Sequence, residues 1–261
     1  MTDWGTGTYE LFAAQLAPVA EVVADAVEPV SGLKTLDIAC GTGNATLLLA
    51  ERGAEATGLD MAPRLLEVAA GRANDAGLDI TWTEGSMLEL PYPDDSFEVI
   101  TSVFGVIFGD PAAAVAAEIA RVLDQHGRVA FTTWTDEGVL AEIAKLSKST
   151  VNEVLDLPPD DGPAALTWGD ETDIRELFSE HGIMLQVEKK SIEFKFESAV
   201  AANDEWKNHH PMWLLLKQAI GDEQYEALSD KVLEILESNN EATNGSFSYT
   251  SNYLLALGSP V

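Results

Sequence analysis

The chain has 261 residues, with 15 lysines and arginines against 44 aspartates and glutamates, a formal charge of −29. Its composition, 46% hydrophobic and 23% charged, is that of a globular protein with a substantial core rather than a disordered chain. Acidity throughout excludes the basic stripe of a nucleic-acid surface and disfavours anionic membranes, and the lone Cys40 excludes a disulfide framework or cysteine-cluster metal site.

The apolar stretch Val99 to Gly109 is too short to span a bilayer. Met1-Thr2-Asp3-Trp4 has neither the basic start nor the apolar run of a secretory signal, so a soluble, cytoplasmic protein is expected. The charge predicts a strongly solvated surface, of the kind suited to a saline habitat.

The first two thirds alternate short apolar runs with helical patterns. Lys34 to Cys40 reads as a buried strand ending in a glycine turn, and Ala45 to Glu51 as a helix. Ala54 to Leu59 is a second strand, ending at Asp60. Pro63 then opens a helix that Gly77 stops. Asp79 to Glu84 and Phe97 to Phe104 are the third and fourth strands. Pro111 to Leu123 is an alanine-rich helix, closed by the turn Asp124-Gln125-His126-Gly127 before a fifth strand, Arg128 to Trp134. This alternation predicts βαβ units and a parallel sheet.

The last third changes character. Glu137 to Leu155 reads as a helix, and Pro158 to Pro163 as a loop. Asp170 to Glu180 is a capped helix, and Ile183 to Phe196 is extended. Residues 199–238 hold two helical patterns parted near Gly221, and Ser246 to Leu257 is a final strand. A single domain over 1–261 is expected, with a helical lid at about 198–245.

Three strand ends carry chemistry. Asp37-Ile38-Ala39-Cys40-Gly41-Thr42-Gly43 sets a carboxylate before a turn whose glycines let a ligand approach the backbone. That carboxylate would repel a phosphate and hold a cationic amino group. Asp60, 23 positions later, can accept both hydroxyls of a ribose or cap the following helix. Met61 can cover a flat ring or fill core. Glu84-Gly85-Ser86-Met87 leads into Leu90-Pro91-Tyr92.

With Phe97-Glu98 and Arg121-Val122-Leu123, these blocks resemble class I S-adenosylmethionine-dependent methyltransferases over residues 33–135. The nearest subgroup is the ubiquinone/menaquinone type and its small-molecule relatives, which Trp4 to Tyr9 and Ser102 to Val106 also resemble. The resemblance implies a Rossmann-like α/β fold. Its seven-stranded, mostly parallel sheet has helices on both faces, an antiparallel final strand and a helical lid. It implies that Asp37, Ala39, Gly41 and Gly43 hold the methionine end of the cofactor. Asp60 would take the ribose, Met61, Ser86 and Met87 the adenine, and Val103-Phe104 the sulfonium, with Tyr9 closing the site. Two departures stand out: Ala39 replaces a glycine, and Ser86 replaces an aspartate that accepts from the adenine amino group.

The implied reaction moves a methyl group from S-adenosylmethionine to a small-molecule acceptor, leaving S-adenosylhomocysteine. It needs alignment and exclusion of water rather than a metal. A base is needed only if the acceptor must lose a proton. His209 and His210, beside Trp213, are the candidates; His126 reads as an exposed turn residue, and His181 as a helix-end residue beside Gly182 that the helix dipole stabilises. Trp134 could line the acceptor pocket or fill core. Monomer and homodimer both stay open.

Two other classes stand beside this one. A nicotinamide-dependent oxidoreductase also has a glycine-rich first turn, but here the third glycine is missing and Asp37 would oppose a pyrophosphate. No tyrosine is followed four places later by lysine. A non-catalytic protein that keeps the cofactor fold is the other, left open by Ser86.

Overall fold

The computed structural model describes residues 4–157 and 167–261, so the expected loop at 158–163 lies outside the described residues. Two helices, α1 (Tyr9–Gln15) and α2 (Ala17–Ala26), precede an alternating series: β1 (Lys34–Ile38), α3 (Asn44–Glu51), β2 (Glu55–Asp60), α4 (Pro63–Ala76) and β3 (Thr81–Glu84). Then come β4 (Phe97–Val103), α5 (Ala112–Val122), β5 (Leu123–Trp134), α6 (Val139–Val154), α7 (Glu171–Ser179) and β6 (Ile183–Phe196). Three helices, α8 (Ala199–His209), α9 (Pro211–Ile220) and α10 (Asp222–Ser238), lead to β7 (Phe247–Pro260).

The strands form one sheet in the order β3-β2-β1-β4-β5-β7-β6, parallel from β3 to β5 and antiparallel at the end. The order reverses between β1 and β4. Ligands in such sheets bind beyond the carboxyl ends of the strands at that point.

Two compact units share the chain. One comprises Leu16–Thr133, Thr167–Lys190 and Tyr253–Val261; the other comprises Met1–Gln15, Trp134–Leu166 and Ser191–Asn252. We call them the sheet unit and the helical unit.

In the sheet unit β1 and β4 are buried along nearly their whole length, which is why both read as continuous apolar runs. Leu36, Ile38, Ile100, Val129 and Phe131 lie at its core. Phe131 stacks on Phe178 at 4.9 Å and meets Trp168 edge-on at 6.0 Å. Proline and glycine fix the helix ends as expected: Pro63 opens α4, and Gly77 ends it with a positive φ of 69°.

Three local expectations need correction. The turn at Asp124 to Gly127 does not precede the fifth strand but is looped out within it. Phe97 pairs with Leu123 and Val99 with Arg128, so β4 advances two residues while β5 advances five. The helical stretch after residue 198 holds three helices rather than two. Pro211 lacks the N–H that would continue α8, and it forces His210 into extended backbone, φ −79° and ψ 124°. Cys40 and Phe104 fall outside their strands. Ala39 (φ 52°) and Phe104 (φ 56°) adopt left-handed backbone that ends each ladder.

Arg121 explains why two of the sequence blocks occur together. Its guanidinium donates to the carbonyls of Tyr92 (2.7 Å) and Leu90 (3.0 Å), to Asp94 (3.0 Å) and to Glu118 (2.7 Å). It thus pins the Leu90-Pro91-Tyr92 segment to α5. Among the described residues, no helix is long and apolar enough to cross a membrane, and no group of His, Cys, Asp and Glu is placed to hold a metal ion.

Candidate active site

The two predicted carboxylates stand at neighbouring strand ends. Asp37, 2% exposed, lies opposite Gly58 in the β1–β2 ladder. Its Oδ2 accepts from the Thr46 amide (3.1 Å) and hydroxyl (2.6 Å), and its Oδ1 from the Thr101 hydroxyl (3.0 Å). Burial still wins over these bonds, and with Asp60 nearby it raises the Asp37 pKa from 3.8 to about 6. The carboxylate is thus anchored by threonines but not neutralised by them.

Asp60, 6% exposed, spans two loops. Its Oδ2 accepts from the Gly41 amide (2.8 Å) and its Oδ1 from the Ala62 amide (2.9 Å). Burial pushes its pKa up and the backbone bonds pull it back. The Met61 amide is a third backbone donor to this carboxylate, which leaves about one of its roughly four acceptor positions for a further donor. The bond from Ala62 ties Asp60 to the residue before α4, but the N-cap of that helix is Ala62 and no side chain caps it, so the expected capping role is not seen.

The loop between β1 and α3 is held on several sides. The Cys40 amide donates to the Leu59 carbonyl (3.0 Å), and Gly43 donates to the Cys40 carbonyl (2.9 Å). Gly43 has φ 82°, and a Cβ there would sit 2.8 Å from the Trp82 ring, so no side chain fits. Arg72 clamps the loop from α4, donating to the Thr42 carbonyl (2.6 Å) and Asn44 Oδ1 (2.8 Å). From β4, Ser102 donates to the Ile38 carbonyl (2.7 Å), and the Phe104 amide donates to Thr132 Oγ1 (3.0 Å). The Gly85 amide donates to the Asp60 carbonyl (3.0 Å) and ties the third strand end to the second.

Most of the cofactor-binding candidates therefore gather at the carboxyl ends of β1 to β4 in the sheet unit. Met61 is exposed beside Asp60, and Met87 packs partly against the core. The Ser86 hydroxyl accepts from the Leu88 amide (3.2 Å), so it shapes its own turn. Val103 is partly exposed, and Phe104 is buried edge-on against Tyr253 at 5.6 Å. Sequence reasoning did not single out Thr46, Thr101, Arg72 or Trp82. Only Thr46, nine residues after Asp37 in the next helix, left a local trace.

Tyr9, His209 and His210 belong to the helical unit. The Thr8 amide donates to the His209 carbonyl (3.0 Å), and a Cβ on Gly7 would strike that same carbonyl. This close approach accounts for the glycine in Trp4-Gly5-Thr6-Gly7-Thr8-Tyr9. His209 is partly exposed, with Nδ1 3.3 Å from Thr8 Oγ1. Around His210 stand Phe12 (4.9 Å), Tyr9 (6.2 Å) and Trp4 (6.3 Å), all edge-to-face. Burial among these rings lowers the His210 pKa from 6.5 to about 4. Trp213 packs 6.3 Å from Trp206, and Trp134 6.2 Å from Phe194. His126 is exposed in the excursion within β5, and His181 is partly exposed between α7 and β6.

A family model described as a methyltransferase domain matches residues 35–127. The chain is 31% identical over 222 residues to the uncharacterized protein Rv1405c of Mycobacterium tuberculosis, covering 84% of this chain and 79% of that one. It is 41% identical over 99 residues to the demethylmenaquinone methyltransferase of Thermus thermophilus, covering 37% of this chain and 44% of that one. The crystal structure of the YcgJ protein from Bacillus subtilis shares the fold, with a TM-score of 0.63 and 20% identity over 92% of this chain and 96% of that one.

Proposed function

Because the chain belongs to the S-adenosylmethionine-dependent methyltransferases, we propose that it methylates a small-molecule acceptor, with the sheet unit holding the cofactor. The observation that carries this reading is the pair of buried carboxylates, Asp37 and Asp60, flanking a loop in which no side chain fits at Gly43. A buried carboxylate held only by hydroxyls and an amide is suited to a cationic amino group, and a pyrophosphate would meet it with repulsion.

In this reading Asp37 and the Ala39, Gly41 and Gly43 backbone orient the methionine end. Asp60 accepts from the ribose hydroxyls, while its bond to the Gly41 amide keeps the loop in place. Met61 covers one face of the adenine. Ser86 and Met87 meet its edge, with Ser86 offering a hydroxyl rather than a charge. Val103 and the left-handed turn at Phe104 wall the methyl end.

When bound, the sulfonium supplies an activated methyl group that passes in line to the acceptor's nucleophile and leaves a neutral thioether. The protein's part is alignment and exclusion of water. Of the two imidazoles assigned to the acceptor, His210 is neutral at physiological pH, since burial holds its pKa near 4. It is therefore suited to accept a hydrogen bond rather than to store a proton. The test is transfer of a labelled methyl group to a panel of small acceptors, alongside calorimetry with S-adenosylhomocysteine. Failure to bind that product would refute the assignment of the carboxylate pair.

A further inference from the structure

Strands β1 and β4 are neighbours at the point where the sheet reverses its order, so their carboxyl ends lie side by side. Both ends turn away through left-handed backbone on residues that rarely adopt it, Ala39 at φ 52° and Phe104 at φ 56°. Such outliers cost free energy and persist only where the surrounding contacts hold them. The contacts around Gly105 show what holds these two.

The glycine at 105 is not required by its own backbone. With φ −85° and ψ −42° it lies in the right-handed helical region, open to any residue. What excludes a side chain is crowding. A Cβ on Gly105 would lie 2.6 Å from Ala39 Cβ, 2.8 Å from Ser102 Oγ and 3.0 Å from the Ile38 carbonyl oxygen. Two of those atoms belong to the last residue of β1 and the residue after it. Gly105 is itself buried, so it can act on a bound molecule only through its neighbours.

Hydrogen bonds converge on the same place. The β1–β4 ladder pairs Asp37 with Thr101, whose hydroxyl also donates to Asp37 Oδ1 at 3.0 Å. One residue further on, Ser102 Oγ donates to the Ile38 carbonyl at 2.7 Å and accepts from the Val106 amide at 3.2 Å. Ser102 therefore ties the end of β1 to the residue after Gly105. From β5, Thr132 Oγ1 accepts from the Phe104 amide at 3.0 Å. The two turns are fixed against each other, with Gly105 at their contact.

Resting on the methyl-transfer reading, we infer that Gly105 is a positioning residue for S-adenosylmethionine: its missing side chain sets the spacing between the Asp37 and Ala39 turn, which takes the amino-acid end, and the Val103 and Phe104 turn, which walls the methyl group. The cofactor spans both turns, so their separation decides whether both ends are met at once. A methyl group added at residue 105 must push one turn off the other. Two of the atoms it meets are an alanine Cβ and a backbone carbonyl, and neither can swing aside.

The experiment is calorimetry of the full chain with two ligands. S-adenosylhomocysteine spans both turns, whereas methylthioadenosine carries the adenosine and the sulfur but no amino-acid end. Gly105→Ala is expected to weaken S-adenosylhomocysteine about tenfold, the scale of one hydrogen bond lost to misalignment, and to leave methylthioadenosine within about twofold. Ala39→Gly removes the Cβ that the new methyl meets at 2.6 Å. Added to Gly105→Ala, it should bring S-adenosylhomocysteine back to within about threefold of the parent. Ser102→Ala adds no bulk and removes both of its ties, so it should show the same split between ligands, and it serves if Gly105→Ala does not fold. Equal weakening of both ligands assigns Gly105 to packing alone and overturns the inference. So does a fall in melting temperature with both affinities kept, or a double variant no better than Gly105→Ala. A parent chain that binds neither ligand refutes the methyl-transfer reading itself; parent binding with no split in the variants refutes this inference alone.

Discussion

Replacing Asp37 by asparagine should stabilise the ligand-free protein at neutral pH. The carboxyl has its ordinary pKa of 3.8 when the chain is unfolded and about 6 when it is buried at the end of β1. Between those values the folded state holds the proton more tightly, so stability falls as pH rises through the window. Above it, the buried charge costs roughly 3 kcal/mol, at about 1.4 kcal/mol per pKa unit. Asparagine fits the same bonds: its oxygen takes both Thr46 donors and its amide nitrogen donates to the Thr101 hydroxyl. Allowing for weaker, uncharged bonds, a gain of roughly 1–3 kcal/mol is expected at neutral pH, shrinking to nothing near pH 4. Urea unfolding of variant and parent at matched pH reads this directly, because the other titrating groups cancel in the difference. The same charge should be needed by the cofactor's ammonium group, so S-adenosylhomocysteine affinity should fall about tenfold per pH unit below about pH 6. An asparagine variant that is less stable at neutral pH, or whose gain persists unchanged at pH 4, would refute this account of Asp37.

Asp60→Ala should weaken S-adenosylhomocysteine by roughly 2 kcal/mol, the scale of a lost pair of charge-assisted hydrogen bonds; unchanged affinity in calorimetry would remove Asp60 from the site. Gly58→Ala should destabilise by roughly 1–3 kcal/mol, because a Cβ there lies 2.6 Å from Trp82 Cε3. A double variant with Trp82→Leu should recover part of that loss in thermal melts, and strict additivity would contradict the packing argument. With a formal charge of −29, the melting temperature should rise as salt approaches about 0.1 M, where the Debye length shrinks to about 10 Å; a flat or falling curve would oppose this.

How much of this was legible in the sequence depended on the range of the interaction. Strand β6 was read at its observed bounds, Ile183 to Phe196, and β1 to β4 within two residues, because burial and period are local signals. Asp37 and Asp60 were legible because a carboxylate at a strand end is unusual and the glycines beside it mark the turn. What held them in place was not. Thr101 lies 64 residues from Asp37 in the chain, and Arg72 acts from the far end of α4. Their partnerships exist only once β1, β4 and α4 are packed. The excursion inside β5 looked like a turn because its residues are turn formers; only pairing with β4 shows that the ladder continues on both sides. The break at Pro211 was available locally, but the apolar pattern running across it read as one helix.

The two units are woven from alternating stretches of chain. Five junctions separate them, at 15/16, 133/134, 166/167, 190/191 and 252/253. Three of these fall inside strands, at the last residue of β5, within β6 and within β7, so these strands serve both. On a ribosome, therefore, neither unit is complete until the final strand has been made, and each waits on the same late segment. The interleaving also sets the terms for building chimaeras. Exchanging the helical unit for that of a relative takes three grafted segments rather than a single splice, and the third, which begins within β6 and ends within β7, must match two strand registers that continue into its host.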